Sequence, residues 1–159
     1  MSNDYFEEFE QWKVLVGGTI LAFGEIELVT LKCLERIPKD NIYKTASKLP
    51  FARRIELIID ILQPHSSISE YSNFIAGLSK AKELSQYRNL LAHNPLAIEV
   101  YEHKATGDLH MLQLIRSSRN DKKSIDLSSM KELAAEVQQL SADLWMSVAK
   151  IAERESENT

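Results

Sequence analysis

Apolar residues recur at helical spacing over most of the chain, and that pattern is interrupted once, between residues 97 and 115, by runs rich in β-branched and aromatic residues. The first helix is predicted from about Asn3 or Asp4 to Arg36, with Phe6, Phe9, Trp12, Val16, Ile20, Phe23, Ile26 and Cys33 or Leu34 on one stripe. Acidic residues crowd its first turns, where they complement the helix dipole, and Pro38 closes it. Between Val14 and Leu34 this helix is apolar nearly all round, with Gly17, Gly18 and Gly24 interspersed. Such a helix is expected either at the centre of a bundle or against a partner subunit.

A second helix is predicted to begin near Pro50, which suits a first helical position, and to run through Phe51, Ile55, Ile58, Ile59 and Leu62 to Pro64. A third starts around Ser67 or Ser69. Tyr71, Phe74, Ile75, Leu78, Ala81, Leu84, Tyr87 and Leu91 keep its period until Asn94-Pro95 stops it. Ala97 to Lys104 and Leu109 to Ile115 flank the turn signal Ala105-Thr106-Gly107-Asp108 and predict a β-hairpin. Ser117 to Ser124 is polar and basic, and is expected to form a mobile loop. A last helix from about Leu127 to Glu153 carries Met130, Leu133, Val137, Leu140, Leu144, Val148 and Ile151 close to heptad spacing, followed by a frayed tail at 155–159. The predicted fold is all-α: a four-helix up-down bundle in one domain over 1–159, with a β-hairpin (about 97–116) inserted between the third and fourth main helices.

The bulk numbers add limits. A length of 159 residues suits one domain with a real core, and low Gly and Pro favours helices. The lone Cys33 sits in an apolar run and reads as a buried, inert thiol. The acidic start lacks the regions of a signal peptide, and the longest apolar run, Val14 to Gly24, is short for a bilayer; a cytoplasmic location without membrane association is expected. Net charge is −4, yet residues 80–123 hold 8 Lys/Arg against 5 Asp/Glu and form the only net-positive third. A local basic surface of that kind can steer a phosphate chain, weakly and with strong salt dependence. A randomly mixed solvated surface explains the same numbers.

Within that third, Arg88-Asn89-Leu90-Leu91-Ala92-His93 ends the third helix. It brings a fixed cation, an amide and a group that titrates near neutral pH to a point where helix gives way to loop. Asn89 and His93, four apart, share a helix face; Arg88 and His93, five apart, lie about 140° apart on an ideal helix. Metal-free RNA cleavage needs a base for the 2′-hydroxyl, an acid for the leaving 5′-oxygen and a cation for the phosphorane. His93 suits base or acid, Arg88 the charge clamp and Asn89 an orienting hydrogen bond. One copy supplies one histidine, so a homodimer would complete the pair. The bland alternative is that Arg88 makes a surface salt bridge and His93 merely caps the helix end.

The segment resembles the signature of the HEPN superfamily (higher eukaryotes and prokaryotes nucleotide-binding domains), in which Arg, a polar residue, a few variable residues and His lie near the end of a core helix. Here the motif is Arg88, Asn89, Leu90-Leu91-Ala92, His93. The resemblance implies a helical bundle, dimerisation that joins two motifs in one cleft and, in many members, metal-independent endoribonuclease activity, often in toxins or defence effectors. It thereby implies RNA as substrate and an antitoxin or regulatory protein as a further partner. Other members bind a nucleotide, RNA or a partner protein without cleavage. The hairpin lies outside the family's minimal pattern.

Supporting residues follow from the apolar first helix, which Glu25 and Glu27 interrupt. One of them pointing inward would need a cation, so a pair with Arg88 or Arg54 is expected; both lying in water at the bundle edge is the alternative. Arg53-Arg54 suits phosphate or an ordinary solvated face. His65, His103 and His110 have no Cys or carboxylate at metal-ligand spacing, so neither metal nor cofactor is expected. The chain has no Gly-rich phosphate loop, dinucleotide fingerprint, serine elbow or DNA recognition-helix pattern.

Overall fold

Backbone period dominates the architecture. In the computed structural model, which describes residues 3–37, 41–120 and 123–157, four long or medium helices form where the 3.6-residue pattern is sustained. They are α1 (Asn3–Arg36), α3 (Phe51–Leu62), α4 (Ser69–His93) and α5 (Leu127–Glu157), joined by the four-residue α2 (Tyr43–Ala46) and a 3-10 turn at Gln63–His65. Strands β1 (Leu96–Glu102), β2 (Leu109–Arg116) and β3 (Ser124–Asp126) form an antiparallel sheet in the order β1-β2-β3. The chain is mostly helical, as expected, and the inserted hairpin gains a third strand that the sequence pattern did not predict. Helix α5 extends to Glu157, four residues beyond the end expected near Glu153; Pro38 and residues 158–159 lie outside the described residues.

The stripe on α1 buries later than its period implied. Phe6 and Phe9 are exposed, and burial starts at Trp12 and continues through Thr19, Phe23, Ile26, Val29, Thr30, Cys33 and Leu34. Its buried hydroxyls are satisfied within the helix, Thr19 donating to Leu15 O (2.7 Å) and Thr30 to Glu27 O (2.6 Å). Cys33 is buried, and that burial pushes its thiol up to about 12, which makes it unreactive. Val14 and Leu21 are more than 70% exposed on the opposite side of the pattern. By length and composition alone, Phe6–Arg36 is apolar enough to cross a bilayer, unlike the shorter run expected from sequence; the core helix of a soluble protein passes the same test.

The chain divides into two units by its internal contacts. The first comprises Met1–Ile20 and Gln86–Glu136 and holds the sheet. β1 pairs with β2 from Leu96↔Ile115 to Glu102↔Leu109, so the hairpin expected at 97–116 forms almost where predicted. Its turn needs Gly107, at φ +74°, a left-handed conformation that a Cβ disfavours. β2 also pairs with β3 from Leu114↔Asp126 to Arg116↔Ser124, so the hairpin is not isolated. Leu114, Ile115 and Ile125 are buried near the base, whereas Val100, Leu109 and Met111 towards the tip are exposed. Asp126 ends β3 and starts α5: its Oδ1 accepts the Ser129 N–H at 2.8 Å.

The second unit comprises Leu21–Ser85 and Val137–Thr159. Its core includes Phe23, Ile26, Ile55, Ile58, Phe74, Leu78, Leu144 and Ile151. A Cβ added at Gly77 on α4 would stand 2.8 Å from Leu144 Cδ2 and 3.7 Å from Leu140 Cδ1 on α5, so these helices meet closely there. At the other end of that contact the buried Tyr71 hydroxyl donates to Glu155, and Arg154 lies 3.9 Å from Glu70. Burial, aided by the Glu155 hydrogen bond, pushes the Tyr71 phenol up to about 12.

Two stability outcomes follow. Gly77→Leu is expected to lower stability by about 2 kcal/mol through overpacking against Leu144, read by chemical denaturation. Asp126→Ala is expected to cost about 1 kcal/mol at neutral pH by removing the α5 cap. The Ser129 amide holds the Asp126 carboxyl below its ordinary value of 3.8. A folded-state pKa below the unfolded one means this stabilisation is full above that value and is lost as pH falls through the lowered one. The gap between parent and Asp126→Ala therefore closes in acid, and a gap independent of pH would contradict the cap.

Candidate functional site

The last two turns of α4 are oriented by what they bury. Leu90 and Leu91 are buried, which turns Asn89 and His93, one helical turn apart, to the exposed side. The helix stops at His93, because Pro95 two residues on has no amide hydrogen to continue it. Asn94 then bridges two segments. Its Nδ2 donates to Leu90 O at 2.9 Å, and its Oδ1 accepts the Ser118 N–H at 2.8 Å. One amide thereby satisfies an orphan carbonyl of the helix end and fixes the β2–β3 connection to it.

That connection, the polar and basic run from Ser117 to Ser124, carries hydrogen bonds of its own. The Ser117 N–H donates to Lys123 O (2.8 Å), the Lys123 N–H to Asn120 O (2.9 Å) and the Arg119 N–H to Ser117 Oγ (3.3 Å). Lys123 Nζ reaches back to Gln86 Oε1 on α4 at 2.9 Å. Residues 121–122 lie outside the described residues.

Between the end of α4 and this connection lies a cleft of about 510 Å³. Gln86, Asn89, Leu90, His93 and Asn94 form one wall, and Ser117, Ser118, Arg119 and Lys123 the other. Two cations, one imidazole, amides and hydroxyls face it, and no carboxylate is among these lining residues. An anion near a helix C-terminus meets the negative end of the dipole, so the cations of the opposite wall decide the sign of the site. Chemically, the arrangement offers hydrogen bonding, charge for an anion and one imidazole.

Of the residues singled out in the sequence, Asn89 and His93 line the cleft together and Arg88 does not. Arg88 is half-buried on the same helix. Glu25, Glu27 and Arg54 belong to the second unit. Glu25 is exposed and accepts the Ser141 hydroxyl at 2.8 Å, so the inward carboxylate expected there is not Glu25; Glu27 is half-buried. Arg54 is buried and its Nη1 donates to Ser47 O at 3.2 Å, a structural position and not a solvated phosphate contact. Arg119, Lys123 and Asn94 were missed as site residues. The sequence signals for them were the basic excess of residues 80–123, the polar and basic run Ser117 to Ser124 and the Asn-Pro stop.

Among the described residues no group of three or more His, Cys, Asp or Glu is placed to hold a metal ion. His103 and His110 stack edgewise at 6.5 Å near the hairpin turn, far along β1 and β2 from the cleft residues at their base. No family model, curated protein or solved structure matches the chain.

The bridge is testable on its own. Asn94→Ala removes two hydrogen bonds and is expected to cost about 1–2 kcal/mol. The Ser118 amide should then exchange its hydrogen much faster, and unchanged protection at Ser118 would show that the loop is held by other means.

Proposed function

We propose that the chain is a metal-independent endoribonuclease of HEPN type, acting on RNA by 2′-hydroxyl attack. The observation that carries this reading is that His93 and Asn89, two of the three motif residues, line one cleft with two cations, and no carboxylate is among the described residues that line it. In the reaction the 2′-oxygen bonds to phosphorus, the bond to the 5′-oxygen breaks, one proton leaves the 2′-hydroxyl and one reaches the 5′-oxygen. His93 serves one of these proton transfers. Asn89 donates a hydrogen bond to the phosphate or the sugar.

A single imidazole cannot be base and acid in the same step, and the cleft holds one. A homodimer that brings a second His93 to the same phosphate supplies the other role. Exposed Phe6, Phe9 and Val14 on α1 and Val100, Leu109 and Met111 on the hairpin offer apolar surface for such an association. In this reading the four main helices form the up-down bundle of the family, the protein works in the cytoplasm, and an antitoxin or regulatory protein holds the activity in check.

The second reading is a non-catalytic HEPN-like dimer that binds a nucleotide, RNA or a partner protein. The same single imidazole favours it, because binding needs no acid–base pair.

Purified protein incubated with single-stranded RNA in EDTA is expected to yield 2′,3′-cyclic phosphate or 3′-phosphate ends. His93→Ala should slow cleavage by about 10²–10⁴-fold. Cleavage by His93→Ala at the parent rate would remove the assignment, and a strict monomer in light scattering that still cuts would remove the composite site.

A further inference from the structure

We propose that the phosphate-binding cations of this cleft are Arg119 and Lys123 on the β2–β3 connection, and that Arg88 of the motif is not the charge clamp. The inference rests on the cleft being a phosphodiester site, whether or not it cleaves. It takes one ligand class, the backbone phosphates of a single-stranded polynucleotide.

Four observations converge. Arg119 and Lys123 line the cleft and Arg88 does not. The partner of the Lys123 ammonium is the neutral amide of Gln86, which positions the charge without cancelling it. Arg119 is exposed and its side chain has no carboxylate partner among the described residues. The facing wall is the C-terminal turn of α4, whose carbonyl dipoles oppose an anion, so binding there requires cations from elsewhere.

Geometry is held by the backbone. Ser117 and Lys123 close the connection on itself, Asn94 holds Ser118 to α4 and Gln86 holds Lys123. Arg119 and Lys123, four positions apart in sequence, thus belong with His93 to the residues that line the cleft. A volume of about 510 Å³ lies in the range of about 300–1,000 Å³ that accepts ligands of nucleotide size, larger than a lone phosphate needs. The guanidinium offers a planar fork for two phosphate oxygens and the ammonium a point charge.

The test is fluorescence anisotropy with a labelled single-stranded oligoribonucleotide fully 2′-O-methylated, which cannot be cleaved by 2′-hydroxyl attack. Arg119→Gln and Lys123→Gln are each expected to weaken binding about tenfold at low salt and to lower the salt slope by about one. Arg119→Lys should recover most of the loss, which a merely structural role would not. Excess inorganic phosphate should compete only weakly, since the site is shaped for a chain; tight competition by phosphate alone would overturn the polynucleotide assignment. Parent-like affinity in both Gln variants, with the loss found in Arg88→Ala instead, would overturn the assignment of the clamp. Failure of the parent to bind at low salt would overturn the whole inference. Parent binding without cleavage of an unmodified RNA would leave these cations as the phosphate site and discard the nuclease reading alone.

Discussion

The side-chain amide of Asn94 is the constraint from which the site follows. It is short, it has one donor pair and one acceptor, and both ends are used: Leu90 O at 2.9 Å and Ser118 N–H at 2.8 Å. The first bond closes the carbonyl end of α4; the second decides where the β2–β3 connection begins. Because Leu90 and Leu91 are buried, the last turn cannot rotate without exposing them. The packed helix face thus positions His93 and Asn89, and the Asn94 bridge, with the Lys123–Gln86 bond, ties the loop cations to them. An aspartate there would accept from Ser118 but could not donate to Leu90 O, so the bridge needs an amide.

Electrostatics then set a competition of known sign. The C-terminal dipole opposes an anion by roughly 0.3–1 kcal/mol at an exposed site. Two unit cations on the opposite wall outweigh that at the same distances, more so at low ionic strength. The chain's net charge of −4 does not alter the result, since charges beyond a screening length of about 8 Å contribute little at physiological salt. An acidic protein can therefore carry an anion site, provided the site brings its own cations and excludes carboxylates.

Legibility followed the length of each signal. α1, α4 and α5 were readable because an apolar period repeated over many turns, and the hairpin because Thr106-Gly107-Asp108 separated two short apolar-rich runs. β3 has three residues and a single buried apolar one, Ile125, too little for any period. α2 has four residues and the same difficulty. Phe6 and Phe9 show the converse error, since a correct helical phase does not say where along the helix the burial begins. At the site, the shared face of Asn89 and His93 was local helix geometry and therefore legible. The cations were not, because their loop is tied to the end of α4 by a hydrogen bond between residues 24 apart, Ser118 to Asn94, and another between residues 37 apart, Lys123 to Gln86.

The proposed composite site carries a consequence in its own charge. Joining two such clefts places two guanidinium and two ammonium groups around one volume, and like charges at short range resist association. Apolar contact elsewhere must offset that repulsion in the empty dimer, whereas a bound phosphate chain removes it. Substrate and self-association are then linked: whatever RNA contributes to holding the copies together, association returns equally to RNA affinity. Under the proposed composite site, pairing would be weak in the empty protein and strong in the loaded one, and the one cleft imidazole of each copy would confine proton transfer to the state in which substrate is already present.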